Sequence, residues 1–358
     1  MAEPVLMKGN EAIGEAAILA GCRFFAGYPI TPQNELPAYM AGRLPEVGGV
    51  FVQAESELSA INMIYGAAAA GARAMTSSSS PGISLKQEGI SYLAGSELPC
   101  VVVNVMRAGP GLGGIQASQS DYFQATRGGG HGDYRTLVYA PASVQELVEL
   151  TMAAFEAADR YRNPVMILAD GILGQMMEPV DFSRLPDVTI PDKPWATTGA
   201  RGRPRNIITS LYLDPEVLER HNQRLQEKYR RMAEQEVRFE YRGPEKAELV
   251  MVAYGTSARI ARTAMELAQA EGISVGLLRP ITLWPFPSQP IRQCLDRGAR
   301  GFLVVEMSAG QMVEDVQLAV AGRAPVCFHG RTGGMVPVPN DIVVELKKMA
   351  RVGGRKYA

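Results

Sequence analysis

Cysteine is scarce: Cys22, Cys100, Cys294 and Cys327 are the only four in 358 residues, and none is spaced as a C-x-x-C pair. The local signature of a zinc knuckle or an iron–sulfur cluster is therefore missing, and a redox enzyme built on this chain would need its electron carrier on another chain. Most of these thiols sit in apolar stretches, where burial as small hydrophobic groups is the ordinary role. A surplus of one charge is also missing. With 36 basic and 37 acidic residues, neither a basic nucleic-acid surface nor an acidic tail is indicated. Long apolar runs are absent too: Val101–Met106 falls far short of the roughly 20 residues a bilayer span needs. Met1-Ala2-Glu3-Pro4 has neither the basic nor the apolar region of a signal peptide. The expectation is a cytoplasmic protein with no nucleic-acid or membrane partner. His131, His221 and His329 stand isolated, so no Ser-His-Asp arrangement and no metal-ligand set can be read. No G-x-G-x-x-G turn follows the first strand, which disfavours a nicotinamide dehydrogenase.

What is present is alternation. Asn10–Ala20 reads as an Ala-rich helix stopped at Gly21, Phe24–Tyr28 as a short strand, and Glu57–Ala70 as a helix rich in small residues. Val101–Met106 and Pro164–Ala169 are nearly continuous apolar runs, the pattern of strands buried on both faces. This predicts an α/β fold with a mostly parallel sheet, a doubly wound domain over residues 1–185. Residues 186–245 read as a Pro/Gly-rich connection followed by a charged, exposed helix over Pro215–Glu240, either a solvated linker or a docking arm. A second α/β unit over 246–358 starts with the strand Leu249–Tyr254 and the helix Ala258–Gln269, and continues with strands Val275–Leu278 and Gly301–Glu306.

Several stretches could carry chemistry. Tyr28-Pro29-Ile30-Thr31-Pro32 follows a strand, and its two prolines hold one hydroxyl in a rigid turn. Glu57 opens a helix, where the dipole alone would favour a carboxylate, with Glu55 two residues away as a rival. Thr76-Ser77-Ser78-Ser79-Ser80-Pro81-Gly82 reads as a hydroxyl-rich turn, either a polar loop or the lining of a pocket through groups such as Ser79. Arg107 lies between an apolar strand and the glycine loop Gly109–Gly114; such a guanidinium suits carboxylate capture, or else forms a surface ion pair. Arg127–Asp133 is a second, mobile glycine loop, in which His131 is an acid or a structural histidine. Ala169-Asp170-Gly171 is the nearest approach to a Gly-Asp-Gly…Asn diphosphate–metal motif, but no asparagine follows until Asn206.

Taken together, Tyr28–Pro32, Glu57 with Gly66 and Gly71, Thr76–Gly82, Met106-Arg107 and Leu278-Arg279-Pro280-Ile281-Thr282 resemble the α subunit of 2-oxoacid:ferredoxin oxidoreductases over nearly the whole chain. Met7–Ala12, Tyr28–Glu35 and Gly128–Tyr134 look most like the branched-chain type, which acts on 3-methyl-2-oxobutanoate. Gln33-Asn34 departs from the serines usual in pyruvate and 2-oxoglutarate relatives, which leaves those substrates as the alternatives. The resemblance implies a thiamine-diphosphate-binding domain of pyrimidine type followed by a transketolase C-terminal-like domain. It implies that Glu57 contacts the aminopyrimidine ring, helped by Tyr28, Pro29, Ile30 and Ser79, that Thr31 faces the substrate oxygen, and that Arg107 clamps the 2-oxoacid carboxylate. Glu57 is preferred to Glu55 because its spacing to Gly66 and Gly71 resembles that of transketolase-like pyrimidine domains. The cofactor would be shared with a β subunit that holds the Mg²⁺ end. A γ subunit and a ferredoxin-like δ subunit with [4Fe–4S] clusters would pass electrons to external ferredoxin, and coenzyme A would take the acyl group. Rival readings are a lipoamide-linked dehydrogenase or split transketolase subunit, and a non-catalytic assembly subunit.

Overall fold

The computed structural model describes residues 3–352. Its larger sheet has seven strands, ordered Thr282–Trp284, Leu137–Tyr139, Pro164–Asp170, Cys100–Met106, Ala74–Ser78, Phe24–Gly27 and Val50–Gln53. All neighbours are parallel except the first pair. Cys100–Met106 and Pro164–Asp170 are buried at every residue, as their unbroken apolar character predicts for central strands covered on both faces. A second sheet runs Val326–Gly330, Gly301–Glu306, Leu249–Val252, Val275–Pro280 and Phe239–Arg242, with only the last strand antiparallel. Val5–Lys8 and Met177–Val180 form a separate two-stranded ribbon. The α/β expectation holds throughout.

Two local expectations are corrected. The charged helix spans Pro215–Gln235, and it is not a solvated rod: His221, Leu225, Lys228, Tyr229 and Met232 are buried along one face. Their spacing of three and four residues lines up a seam, and the long stem of Lys228 covers apolar surface while its ammonium reaches Glu97 and the Arg162 carbonyl. The chain beyond it forms the strand Phe239–Arg242, whose partner lies more than thirty residues on. The serine stretch is likewise no loop. Ala74–Ser78 is a buried strand, and Ser80–Gly95 is a helix with Pro81 in its first turn, where a missing N–H costs nothing.

The two α/β units are bonded directly. Gln119 Nε2 donates to the Tyr254 carbonyl at 2.8 Å, and the Ser257 hydroxyl donates to Gln119 Oε1 at 2.6 Å. Asp170 caps the short helix Gly171–Gln175 through the Ile172 and Leu173 N–H groups, and it also accepts from the Thr256 N–H and hydroxyl. Asp170 is therefore committed to a helix cap and a contact between units, which accounts for the Ala-Asp-Gly stretch.

Candidate active site

The helix–strand alternation puts one loop beyond the carboxyl end of each parallel strand, where ligands of open α/β sheets bind. Four candidate stretches follow four consecutive strands of the large sheet. Arg107 follows Cys100–Met106, Ser79 follows Ala74–Ser78, Tyr28–Pro32 follows Phe24–Gly27, and Glu57 comes four residues after Val50–Gln53. Stretches far apart in sequence thus share one sheet edge.

The Tyr28–Pro32 turn is held from several sides. Asn10 Nδ2 and Gln175 Nε2 both donate to the Pro32 carbonyl, at 2.9 and 2.7 Å. Buried Gln33 donates to the Tyr28 carbonyl at 3.3 Å and accepts the Ser77 hydroxyl at 2.5 Å. Arg107 Nη1 donates to the Thr31 carbonyl at 3.1 Å and Nη2 to the Leu112 carbonyl at 3.2 Å. Arg107 is only 8% exposed and its Nε has no partner among the described residues, so it is not the side chain of a surface ion pair. The Thr31 hydroxyl accepts from Asn34 Nδ2 at 3.2 Å, which leaves its own proton to donate elsewhere. Tyr28 and Pro29 are exposed and Ile30 half-buried, so this edge of the turn faces out.

Glu57 is the first residue of the helix Glu57–Ala69, capped by Ser56, whose hydroxyl accepts the Ser59 N–H. It is 6% exposed, and no described residue hydrogen-bonds its carboxylate. Glu55 is exposed and accepts the Ser59 hydroxyl at 2.5 Å. The Glu57 carboxylate lies against Gly82: a Cβ there would meet Glu57 Oε1 at 2.4 Å and Ser78 Oγ at 2.0 Å. Gly82 is thus required by close approach, a role the sequence reading had not assigned. Gly66, by contrast, faces open space, and Gly71 ends the helix at φ +94. The close packing of this helix on Ser80–Gly95 comes instead from Gly89, against Ile61.

Three buried hydroxyls on or just after the neighbouring strand, of Thr76, Ser78 and Ser79, have no hydrogen-bond partner among the described residues. Buried polar groups are nearly always paired, so a cluster of orphans together with the unpaired Arg107 Nε marks a surface made for a polar ligand. Ser80 is differently employed. Its hydroxyl accepts the Arg107 N–H at 3.0 Å and donates to Asp121 at 2.5 Å. Burial pushes the Asp121 carboxyl up from the usual range, opposed by hydrogen bonds from Ser80 and Asn104. A cleft of about 680 Å³ opens next to Arg107, between Gly109–Gly111 and the loops of Ser308–Gln311 and Thr332–Gly333. His131 is exposed, its ring edge-on to Tyr92. Its glycine loop is pinned to the Ser80–Gly95 helix, with Gly129 N–H donating to Gln87 and the Ser91 hydroxyl to the His131 carbonyl.

The doubly wound parallel sheet thus carries an acidic helix start, buried hydroxyls and a buried arginine along one edge, a setting suited to a polar ligand. The family model for the thiamine-diphosphate-binding region of pyruvate flavodoxin/ferredoxin oxidoreductases matches residues 15–243, and that for core domain II of pyruvate:ferredoxin oxidoreductase matches 247–342. The chain belongs to the 2-oxoacid:ferredoxin oxidoreductase family, as one of its subunits. It is 55% identical to the ketoisovalerate oxidoreductase subunit VorB of Methanothermobacter thermautotrophicus, over 96% of this chain and 97% of that one. It is 38% identical to the 2-oxoglutarate synthase subunit KorA of the same organism, over 98% and 100%. The 2-oxoglutarate:ferredoxin oxidoreductase of Magnetococcus marinus, solved with 2-oxoglutarate, coenzyme A and succinyl-CoA, superposes with a TM-score of 0.86 at 28% identity. That match covers 97% of this chain but 65% of the other. A split-gene transketolase shares the fold at a TM-score of 0.59 and 14% identity. Among the described residues, no helix is long and apolar enough to cross a membrane.

Proposed function

We propose that this chain supplies the pyrimidine and substrate side of an enzyme that oxidatively decarboxylates 3-methyl-2-oxobutanoate to its acyl-CoA and CO₂, with ferredoxin as electron acceptor. The observation that carries this reading is the convergence of Glu57, the orphaned Ser78 and Ser79 hydroxyls, Thr31 and Arg107 on one sheet edge. These residues fit thiamine diphosphate. The cofactor, when bound, supplies the electron sink for decarboxylation. Glu57 would accept or donate the proton at the aminopyrimidine nitrogen. Ser78 and Ser79 offer their free hydroxyls, and Tyr28, Pro29 and Ile30 give the outward edge of the turn. Arg107 would take the substrate carboxylate with its free Nε–H and its Nη2. The Thr31 hydroxyl, already accepting from Asn34, would donate to the substrate oxygen as charge develops there, worth about 3 kcal/mol if it acts as single oxyanion donors do. The cleft beside Arg107 gives coenzyme A a route to the same centre, with the second unit forming one wall.

The choice of 3-methyl-2-oxobutanoate over 2-oxoglutarate rests on the identities of 55% and 38%. A β subunit would hold the diphosphate and Mg²⁺, and γ and ferredoxin-like δ subunits with [4Fe–4S] clusters would carry the electrons. Exposed Leu58, next to Glu57, and exposed Leu112 and Ile115, in the loop after Arg107, support a covering partner chain. The test is coenzyme A-dependent viologen reduction by the complex co-purified with this chain, across a panel of 2-oxoacids. Preference for 3-methyl-2-oxobutanoate is expected; preference for pyruvate or 2-oxoglutarate would overturn the substrate, and inactivity of a fully loaded complex would overturn the reaction.

A further inference from the structure

Lys86 is fully buried, and the site as described leaves it without a task. It lies on the helix Ser80–Gly95, one turn after Gly82, the glycine on which the Glu57 carboxylate rests. Helical side chains lean toward the N-terminus, so its stem runs back toward the turn of Gly82 on which that carboxylate rests, with no ion pair between the two groups among the described residues. Its single hydrogen bond among the described residues goes to the Ser77 carbonyl at 3.3 Å. The Ser77 hydroxyl in turn bonds Gln33, which holds the Tyr28 carbonyl in the Thr31 turn. Lys86 therefore stands where the strand joining both halves of the site meets the helix beneath Glu57. Burial pushes its ammonium down to about 8, and the one charge acting against that shift is Glu57. A lysine in a dry interior with one neutral partner costs stability, and such costs persist at functional sites.

We propose that Lys86 is a positioning residue for cofactor binding: its buried ammonium, on the helix against which Glu57 rests, holds the Glu57 carboxylate toward the aminopyrimidine edge of thiamine diphosphate. This rests on the reading of Glu57 given above. A Lys86 that only filled space or satisfied Ser77 would act independently of Glu57; a Lys86 that acts through Glu57 would not.

The experiment is a double-mutant cycle on the assembled complex, stripped of cofactor and titrated with thiamine diphosphate, using wild type, Lys86→Met, Glu57→Gln and the double variant, with Lys86→Gln substituted if Met prevents folding. Lys86→Met is expected to weaken binding at least about tenfold beside Glu57 and less than about twofold beside Gln, the coupling of two groups that act through one another. Equal losses in both backgrounds, or no loss, would overturn the proposal. If Glu57→Gln itself leaves both cofactor affinity and turnover unchanged, the reading of Glu57 fails instead. Thermal unfolding of the stripped complexes gives a readout independent of activity. The folded state releases the Lys86 proton near pH 8 and the unfolded chain near 10.5, so the penalty of the buried charge is present below 8 and relieved as pH rises toward 10.5. The Tm of Lys86→Met relative to wild type must therefore fall across that window; a difference that does not change with pH would mean no buried charge and would also overturn the proposal.

Discussion

Replacing Gly82 by alanine tests the site geometry at its tightest point. The added Cβ would sit 2.4 Å from Glu57 Oε1, 2.7 Å from its Cγ and 2.0 Å from Ser78 Oγ, where ordinary contact begins near 3.4 Å. The carboxylate must therefore retreat by about 1 Å and the hydroxyl by somewhat more, and a displacement of about 1 Å at a reacting group costs about a hundredfold in rate. Overpacking costs about 1–3 kcal/mol of stability, partly offset by about 1 kcal/mol from the better helix propensity of alanine. Gly89→Ala provides the control on the same helix, since the atoms nearest its Cβ would be those of the Ile61 side chain, from 2.5 Å. The assay is turnover and thermal unfolding of the two reconstituted complexes. Gly82→Ala is expected to lose about two orders of magnitude in kcat with a modest drop in Tm, while Gly89→Ala loses comparable stability and keeps kcat within about threefold. Equal kcat in the two variants would refute the placement of Glu57 over Gly82.

Arg107→Ala should raise the KM for the 2-oxoacid about a hundredfold, as loss of two charge-assisted hydrogen bonds implies, and leave cofactor content unchanged; steady-state kinetics showing an unaltered KM would remove the clamp. Thr256→Val deletes the 2.7 Å hydroxyl bond to Asp170 between the two units and should cost about 2 kcal/mol, seen as a Tm lowered by a few degrees; an unchanged Tm would show that the contact is dispensable. Burial pushes the Cys22 and Cys100 thiols from 9.0 up to about 12. Unfolded thiols ionise first, so their contribution to stability is complete below pH 9 and is lost as pH rises toward 12. Circular-dichroism melts should show a shallower alkaline loss of Tm in the Cys22→Ala/Cys100→Ala variant; parallel slopes would contradict the burial.

The order of helices and strands in the first unit was open to local reasoning because each element announces itself over a few residues. Val101–Met106 and Pro164–Ala169 read as nearly continuous apolar runs and lie in the central strands Cys100–Met106 and Pro164–Asp170. The turn residues after them mark the strand ends where the candidate groups stand. Thr31, Arg107 and Glu57 were therefore nameable, since Thr31 and Arg107 follow the ends of strands and Glu57 begins a helix. Their roles in the motif came from likeness to a family rather than from spacing alone.

What local patterns could not reveal depends on partners distant in sequence. Phe239–Arg242 becomes a strand because Val275–Pro280 offers an edge, and Thr282–Trp284 leaves the second unit to pair with Leu137–Tyr139 in the first sheet. The charged helix Pro215–Gln235 looked solvated because Lys228 and His221 count as polar in composition, although their stems and ring pack inward. The contrast between Glu55 and Glu57 is one of packing: Glu55 precedes the Ser56 cap and is exposed, whereas Glu57 opens the helix and rests against Gly82. Lys86 is the clearest case. A lysine amid the polar run Lys86-Gln87-Glu88 reads as surface, and only the packing of Ser80–Gly95 against Glu57–Ala69 takes its charge out of water. Sequence determined which residues could do chemistry, through their types and their positions at strand ends. Tertiary packing decided which of them are desolvated and face one another, because burial and proximity are properties of the assembled layers and of no single segment.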